Sequence, residues 1–515
     1  MMARLGRRGF VGGAAVLSAA VWAPRLAKAT SAMGFDDARH LLSRTAFGAT
    51  PAEIRSLETL DYAIAVDRLL GKARPRAETP GPGWVNDGPS FIRLQQQAIA
   101  AKNAVEGKPA QVVQKLVREQ GRELRNWWVT EMLATDQPLV ERMTLFWHNH
   151  FTSSVQKVRY VPSLYWQNAL FRREALGNFA TLLKAVARDP AMLIYLDGVR
   201  SVARQPNENF ARELLELFTL GEGHYTEADI KNAARAFTGW TIDRETGRFQ
   251  ERSQLHDDGE KTFLGQTGRF GGDDIVAILL RHPRTAETVV EKLWREFVSL
   301  KPDPVEVKRL ADSFRSGGYE MKPLLRTLFL SQSFRDPANR GALIKSPIDL
   351  VVGSVHMLGL PVPEKTQLVR MMAGLGQSPF DPPNVKGWPG GESWITTYTL
   401  LLRQQFLRRI VEATTVSSMD GAMMAGRPNR RADRRQQMPG GEGTAQMMEP
   451  ARPVEGRSLR GAGAEAKLGP TLEGVDAATL IRTLLPHRPI DGLDGGGSPG
   501  AVVAAAMLDP AYQLK

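Results

Sequence analysis

The 515-residue sequence contains no cysteine. This absence excludes disulfide bonds, thiolate zinc sites, iron–sulfur clusters and cysteine nucleophiles. Beyond the N-terminal segment, no apolar run is long enough to span a bilayer. There is also no phosphate-binding G-x-x-x-x-G-K motif, no dinucleotide-binding glycine pattern after a strand, no nucleophile elbow and no H-E-x-x-H pair. The common nucleotide-dependent, serine-hydrolase and zinc-peptidase classes are therefore not indicated.

Positive charge exceeds negative charge, with a formal net charge of +12. Five of the basic residues lie among the first 29 positions, which contain no acidic residue. The excess on the rest of the chain is mild, and it forms no dense Lys/Arg stripe of the kind that binds a phosphate backbone. We therefore expect no nucleic-acid partner.

The N-terminal 29 residues have the pattern of an export signal. A basic start ends in Arg7-Arg8, an apolar run from Val11 to Ala23 follows, and Ala27-Lys28-Ala29 offers the small residues that a signal peptidase reads. The Arg-Arg-x-Phe core resembles a twin-arginine signal, which implies export of a folded protein. The alternative is an ordinary Sec signal. Either predicts a periplasmic or secreted protein that starts near Thr30, without a transmembrane span in the mature chain.

The body of the chain is predicted to be mainly α. From Phe35 to Ile410 apolar residues recur at intervals of three and four, and short breakers separate the segments. In one stretch, near 240–272, apolar and polar residues alternate and glycines occupy the turn positions. This pattern predicts one or two small β-hairpins. We predict a multi-helix globular domain over residues 30–416.

The composition changes after this domain. Residues 417–470 are dominated by glycine, proline, arginine, methionine and glutamine, and such a segment buries too little apolar surface to fold. We predict a disordered linker there. Residues 471–515 show a helical pattern again, and we expect these C-terminal helices to dock on the main body.

Two histidines in FWHNHF, His148 and His150, suggest a metal pair. On a continuous helix, positions i and i+2 point about 200° apart, so one ion cannot bind both. The two histidines can bind one ion only if the helix unwinds near Thr152. If the helix continues, His150 shares a face with Leu139 and Met143 and is a half-buried core residue.

The segment NENFARELLELFTLG, 207–221, is predicted to form an amphipathic helix. Glu213 and Glu216 lie three apart on its polar side, a spacing that lets two carboxylates share one ion or one proton. Asn209 and Arg212 are candidate supporting residues. The alternative is an ordinary ion pair in which Arg212 neutralises a glutamate at the surface.

Two further segments carry polar residues. His256 and Asp257 lie in QLHDDGEKTFLG, where His256 is a candidate ligand and turn chemistry alone also explains the Asp-Asp-Gly sequence. The loop SPFDPPNVKGWPGGESWI, 378–395, contains two tryptophans that favour an ordered loop. Lys386 in this loop could bind an anion; a lid or clasp over the helices is the alternative.

These motifs together resemble the domain of unknown function 1800 family of exported bacterial proteins. The resemblance rests on ARHLLSRTAFGATPAEI, ERMTLFWHNHFTSS, NENFARELLELFTLGEGHYTEADIKNAARAFTGW, HDDGEKTFLG and SPFDPPNVKGWPGG. It implies a largely α-helical fold, export, and frequent genomic company with a second exported protein that looks like a sulfatase or phosphatase relative. It implies no activity and no catalytic residue.

Two functions are compatible with this sequence. The first is a metal-assisted hydrolase of an envelope or extracellular substrate, in which a divalent ion is bound by Glu213 and Glu216 with His148, His150 or His256. The second is a non-catalytic partner or maturation factor for the sulfatase-like protein, in which the polar cluster only fixes helix packing.

Overall fold

A computed structural model describes the chain in segments separated by gaps. The described residues are 32–72, 74–87, 90–94, 96, 108–360, 364–416, 471–493 and 497–515. The predicted signal peptide and the predicted disordered linker lie outside these residues, so both stay predictions.

Helices form most of the regular structure in these segments, which confirms the mainly α prediction. The α-helices before the strands are α1 (Gly34–Thr45), α2 (Pro51–Glu58), α3 (Tyr62–Gly71), α4 (Trp84–Asp87), α5 (Lys108–Ala134), α6 (Pro138–His150), α7 (Val161–Arg173), α8 (Phe179–Ala187), α9 (Pro190–Tyr195), α10 (Glu208–Glu213) and α11 (Glu227–Ala236). Those after the strands are α12 (Gly272–Arg281), α13 (Pro283–Phe297), α14 (Pro304–Ser316), α15 (Met321–Leu330), α16 (Gln332–Arg335), α17 (Pro347–Leu358), α18 (Lys365–Gly374), α19 (Thr397–Val416), α20 (Ala477–Leu484) and α21 (Pro499–Leu508). Within the described segments, no helix combines the length and apolar character needed to cross a lipid bilayer.

Two short antiparallel hairpins interrupt the helices where the sequence predicts them. In the first, β1 (Trp240–Ile242) pairs with β2 (Phe249–Glu251). In the second, β3 (Lys261–Phe263) pairs with β4 (Gln266–Gly268). With only three residues a strand, the hairpins are too small to stand alone and depend on packing against the helices; β3 contacts α11.

Several helices begin at reciprocal caps that are visible in the sequence. The Thr226 side chain accepts a hydrogen bond from the Asp229 N–H (3.2 Å), and the Asp229 carboxylate accepts one from the Thr226 N–H (2.8 Å). Thr50 and Glu53 make the same arrangement at α2. Each cap satisfies N–H groups that have no partner within the helix, so these helix starts are fixed locally.

Helix α6 runs through the middle of the core. Apart from Asn149, nearly all of its residues are buried, including the charged pair Glu141 and Arg142. A helix buried on all sides must pair its charges internally. Glu141 accordingly binds Arg172 of α7 and also accepts a hydrogen bond from the Trp128 indole N–H (3.0 Å).

The C-terminal segment lies against the helical body. Helix α20 contacts α2, and α21 contacts α19. The Lys515 amine lies 2.7 Å from the carboxylate of Asp349, which also binds Arg142. Asp349 is 4% exposed and caps α17 through Ser346. One buried carboxylate thus joins α6, α17 and the C-terminal residue.

Candidate functional site

Three of the sequence motifs meet at one place in the fold, which we call the motif junction. Its segments are residues 148–157, 207–225 and 378–394. The Asn149 side chain accepts a hydrogen bond from the Trp388 N–H (2.7 Å), and the Thr152 hydroxyl donates one to the Val385 carbonyl (2.6 Å). The loop 378–394 is thereby fastened to the end of α6.

Two non-glycine residues beside the motif junction have left-handed backbone, Asp197 (φ 61°) and Phe380 (φ 60°). Phe380 uses its carbonyl to accept a hydrogen bond from the Val155 N–H (2.9 Å). The Asp197 carboxylate binds the Lys157 amine at 2.7 Å. Such conformations cost about 1–3 kcal/mol each and tend to occur at functional sites.

The two predicted glutamates lie at a change in helix type. Glu213 ends α10, and Glu216 lies in the π-helix Leu214–Thr219 that continues it. The sequence predicts one continuous α-helix here, and the structure differs because the winding widens to i→i+5, as in the Leu220 N–H to Leu215 carbonyl hydrogen bond (2.8 Å). Short π-helices are frequent at functional sites.

Glu216 is held by two polar side chains. The Tyr225 hydroxyl donates a hydrogen bond to its carboxylate (3.0 Å), and the Lys386 amine lies 4.0 Å away. Lys386 also lies 3.2 Å from Glu222. Lys386, the loop residue that could bind an anion, is therefore placed on carboxylates of its own chain.

Glu213 is half-buried, and its carboxylate makes no hydrogen bond with the described residues. Burial raises the pKa of its carboxyl, and the nearby charge of Glu216 raises it further, while Lys386 and Arg212 act in the opposite direction. The two neighbouring carboxylates thus have different environments. One is hydrogen-bonded and close to a cation, and the other is partly desolvated with a raised pKa, the pattern that separates an acid from a base.

The predicted supporting residues of this helix have other partners. Arg212 donates two hydrogen bonds to Glu227 (2.7 and 2.8 Å) and lies 3.4 Å from Glu208. Asn209 contributes its backbone N–H to the cap formed by Asn207 (2.9 Å). Arg212 therefore pairs with the surface carboxylates of Glu208 and Glu227. It does not neutralise Glu213 or Glu216 as the ion-pair alternative predicted.

His150 is a core residue that completes a helix end. Its Nε2 lies 3.2 Å from the Phe218 carbonyl, and its Nδ1 lies 3.0 Å from the Lys292 amine. Lys292 in turn donates to the Leu217 carbonyl (2.7 Å). These two side chains satisfy carbonyls at the end of the π-helix. Burial, with the charge of Lys292, lowers the pKa of His150 far below its usual value.

His148 points into a different part of the core. Its Nε2 accepts a hydrogen bond from the Asn168 amide (3.0 Å), whose oxygen accepts one from Arg172 (2.7 Å). The ring packs against Trp128 and Phe171. Burial and the charge of Arg172 lower its pKa far below the usual value. α6 continues through His150, so the two rings point apart, as the helical alternative predicted.

His256 and Asp257 belong to the hairpin region. The His256 Nδ1 lies 2.9 Å from the Thr238 carbonyl. Asp257 accepts two hydrogen bonds from Arg235 (2.7 and 3.1 Å), and this interaction holds its pKa below the usual value. Through these contacts, His256 and Asp257 connect the second hairpin to α11.

The predicted five-residue metal centre does not assemble in the described part of the chain. No group of three or more His, Asp and Glu side chains is arranged there to hold a metal ion. The physical reason is that His148, His150 and His256 each satisfy backbone or side-chain groups of their own surroundings. Only Glu213 and Glu216 lie together, and they do so without an imidazole.

Two residues with contacts in the motif junction were not predicted: Tyr225, which lies in it, and Lys292 of α13, which contacts His150. Tyr225 lies in the GEGHYT turn just before the α11 cap, and an aromatic residue next to a capping box is often a packing residue. Lys292 follows an apolar face of α13 at ordinary helical spacing. Neither pattern carries a signal of function, because their partners Glu216 and His150 lie on other helices.

The comparisons with known proteins agree with the motif pattern. The model of a family described as "Protein of unknown function (DUF1800)" matches residues 40–514. The chain belongs to this family. The DUF1800 match includes all three segments of the motif junction. No curated protein matches the chain, and no solved structure matches it.

Proposed function

We propose that this DUF1800 protein is a hydrolase in which Glu213 is the general acid and Glu216 the general base. The observation that carries the proposal is the contrast between the two carboxylates: that of Glu213 is half-buried and has no hydrogen bond from the described residues, and that of Glu216 is held by Tyr225 and Lys386. Pairs whose surroundings separate their proton affinities are typical of acid–base catalysis. The predicted export signal implies an envelope or extracellular substrate.

The proposed reaction is a simple displacement by water. Glu216 takes a proton from a water molecule, the water oxygen bonds to the electrophilic centre of the substrate, and the bond to the leaving group breaks. Glu213 gives its proton to the leaving group, and the two carboxyls then exchange their protons with solvent. The Lys386 amine, 4.0 Å from the Glu216 carboxylate, places a positive charge beside the general base.

The divalent ion of the sequence prediction stays a proposal for Glu213 and Glu216 as an alternative to the acid–base pair, because a carboxylate that binds the ion does not carry the proton that a general acid donates. A Mg²⁺-type ion is often bound by one or two carboxylates, with water completing its shell. Elemental analysis of the exported protein tests this. We expect Glu213→Gln and Glu216→Gln to remove a bound divalent ion and His148→Gln to retain it. Equal metal content in both glutamate variants and the wild type would contradict the proposal.

The hydrolase proposal is tested with a panel of 4-nitrophenyl substrates: the acetate, phosphate, sulfate and β-glucoside. We expect release of nitrophenol from at least one of them, reduced about 100-fold by Glu213→Gln, the scale of general-acid catalysis. Glu208→Gln is the matched control, since Glu208 lies on the same helix and contacts Arg212. Full activity in Glu213→Gln, or no hydrolysis of any substrate by the wild type, would contradict the proposal.

A second candidate function is binding of the sulfatase-like partner. The observation that favours it is an exposed apolar surface on α19, where Tyr398 is 66% and Leu401 57% exposed. Large exposed apolar side chains in a group are typical of protein contacts. We expect the double variant Tyr398→Ser, Leu401→Ser to weaken binding of the purified partner at least tenfold. Unchanged binding would contradict this assignment.

A further inference from the structure

A cavity of about 330 Å³ lies between α6, α13 and the loop 386–394. Its volume is in the range of small-molecule sites. The charged residues that line it are Arg142, Lys292, Arg295, Lys386 and Lys515 on the positive side, and Glu296 and Asp349 on the negative side. Lys386 and Arg295 also pair with carboxylates outside the lining, Glu222 at 3.2 Å and Glu291 at 3.7 Å, so the surplus positive charge that favours an anion is that of Lys292.

The charges of this cavity are unequally neutralised. Arg142 and Lys515 share the carboxylate of Asp349, and Arg142 also binds Glu296 at 3.1 Å. Lys292 makes no ion pair within 4.0 Å among the described residues. Its two hydrogen bonds, to His150 and the Leu217 carbonyl, use two of its three N–H donors. An acceptor from a ligand would complete its coordination and supply the missing counter-charge.

Apolar side chains also line the cavity, and we call them its apolar wall: Trp388, Trp394, Phe146 and Leu300. Trp388 and Trp394 are largely buried, and Gly390 and Gly391 between them have positive φ, which lets the loop fold over the cavity. Indole faces and aliphatic side chains favour a flat or apolar ligand body.

From the surplus charge of Lys292 and this apolar wall we infer that the cavity binds an organic oxyanion, with the anionic group at Lys292 and Arg295 and a ring-shaped or apolar body against Trp388 and Trp394. The inference goes beyond the proposed hydrolase and rests on the cavity alone. The cavity adjoins Glu216 through Lys386, which lines it and lies 4.0 Å from that carboxylate. A bound anion would therefore be within reach of the motif junction.

The test is isothermal titration calorimetry of the full chain with phenyl phosphate and inorganic phosphate, at constant ionic strength set with chloride. Lys292→Gln removes the charge and keeps donors for the Leu217 carbonyl. Arg295→Gln removes a charge that is 47% exposed and is the variant least able to disturb folding. Arg309→Gln is the matched control, because Arg309 is 51% exposed, also pairs with a glutamate of its own helix, and lies outside the cavity.

We expect saturable binding of one equivalent of phenyl phosphate, tighter than that of inorganic phosphate. Lys292→Gln should weaken it about tenfold or more, Arg295→Gln about threefold, and Arg309→Gln by less than about twofold. Absence of saturable binding, or wild-type affinity in both cavity variants, would overturn the inference. Equal affinity for the two probes would overturn the assignment of the apolar wall to the ligand body.

Discussion

The side chain of Asn149 pairs with the backbone of Trp388 through both of its polar atoms. Its oxygen accepts the Trp388 N–H at 2.7 Å, and its nitrogen lies 3.5 Å from the Trp388 carbonyl. The two residues are 239 positions apart. Asn149 lies between the two histidines of the HNH sequence. One role of this motif is therefore to bind the distant loop 378–394.

Gly387 makes this pairing possible, and Gly387→Ala should disrupt it. Gly387 has φ +85°, and a Cβ there would contact the Asn149 side-chain oxygen and lie 2.7 Å from its carbonyl oxygen. We expect a loss of about 2–3 kcal/mol in the free energy of unfolding, from backbone strain and steric conflict together. Gly390→Ala is the control, since Gly390 has φ +72° with no atom within 4 Å, so it isolates the strain. Chemical denaturation with equal losses in both variants would contradict the steric part.

Asp349→Asn should strongly destabilise the fold. The variant leaves Arg142 and Lys515 buried without their shared carboxylate, at a cost of about 3–5 kcal/mol. Asp312→Asn, an exposed residue paired with Lys308, should change stability by less than about 0.5 kcal/mol. Urea denaturation at pH 7 measures both, and similar values for the two variants would show that the buried pairing contributes little.

The same residue predicts a loss of stability in acid. Burial alone would raise the pKa of Asp349, but the charges of Arg142 and Lys515 hold it well below the usual value. A depressed carboxyl pKa contributes stability that is complete above the unfolded pKa of about 4 and is lost as the pH falls below it. The stability difference between wild type and Asp349→Asn should therefore shrink below about pH 4.

Asp189 predicts the opposite pH dependence. Burial raises its pKa to about 7, despite hydrogen bonds from the Met192 N–H and the Gln167 amide. The folded state then retains this proton to higher pH than the unfolded chain does, so the contribution of Asp189 to stability falls as the pH rises from about 4 to 7.

Asp189→Asn removes this ionisation and keeps the helix-capping oxygen. Relative to wild type, the variant should gain stability on the order of 2 kcal/mol between pH 5 and pH 8. Asp303→Asn is the control, because Asp303 caps α14 in an exposed position. Thermal unfolding at the two pH values measures the gain, and a pH-independent difference would refute the role assigned to Asp189.

Replacement of residues 417–470 by a Gly/Ser segment of equal length tests the predicted disorder. The composition of this segment gives it little apolar surface to bury, so the melting temperature should change by less than about 2 °C. Differential scanning calorimetry of both chains measures the change. A large drop would show that the segment contributes to the folded body.

Much of the helical architecture was predictable because its signals are local. The cap at Thr226 with Asp229 and the alternating, glycine-rich stretch near 240–272 act over a few residues, and the structure has a helix and two hairpins there. The π-helix at Leu214–Thr219 was not predictable, because the groups that satisfy its carbonyls, His150 and Lys292, belong to α6 and α13.

The candidate site was predictable only in part. The spacing of Glu213 and Glu216 predicts that they act together, and the structure places both at the motif junction; their role stays a prediction. The structure does not bring His148 and His150 to these glutamates. The sequence pattern of α6 alone does not reveal that this helix is buried on every side. His148 and His150 face separate parts of that core, where Asn168 and Lys292 already occupy their ring nitrogens.

The sequence by itself determined that thiol chemistry is absent, where most helices begin and end, and which family the chain belongs to. These properties depend on composition and on interactions between residues a few positions apart. Only the tertiary structure decided that Lys386 faces Glu216, that Asn149 holds Trp388, and that the cations around Lys292 line one cavity. Such contacts join residues far apart in the chain, so their geometry exists only after the helices have packed.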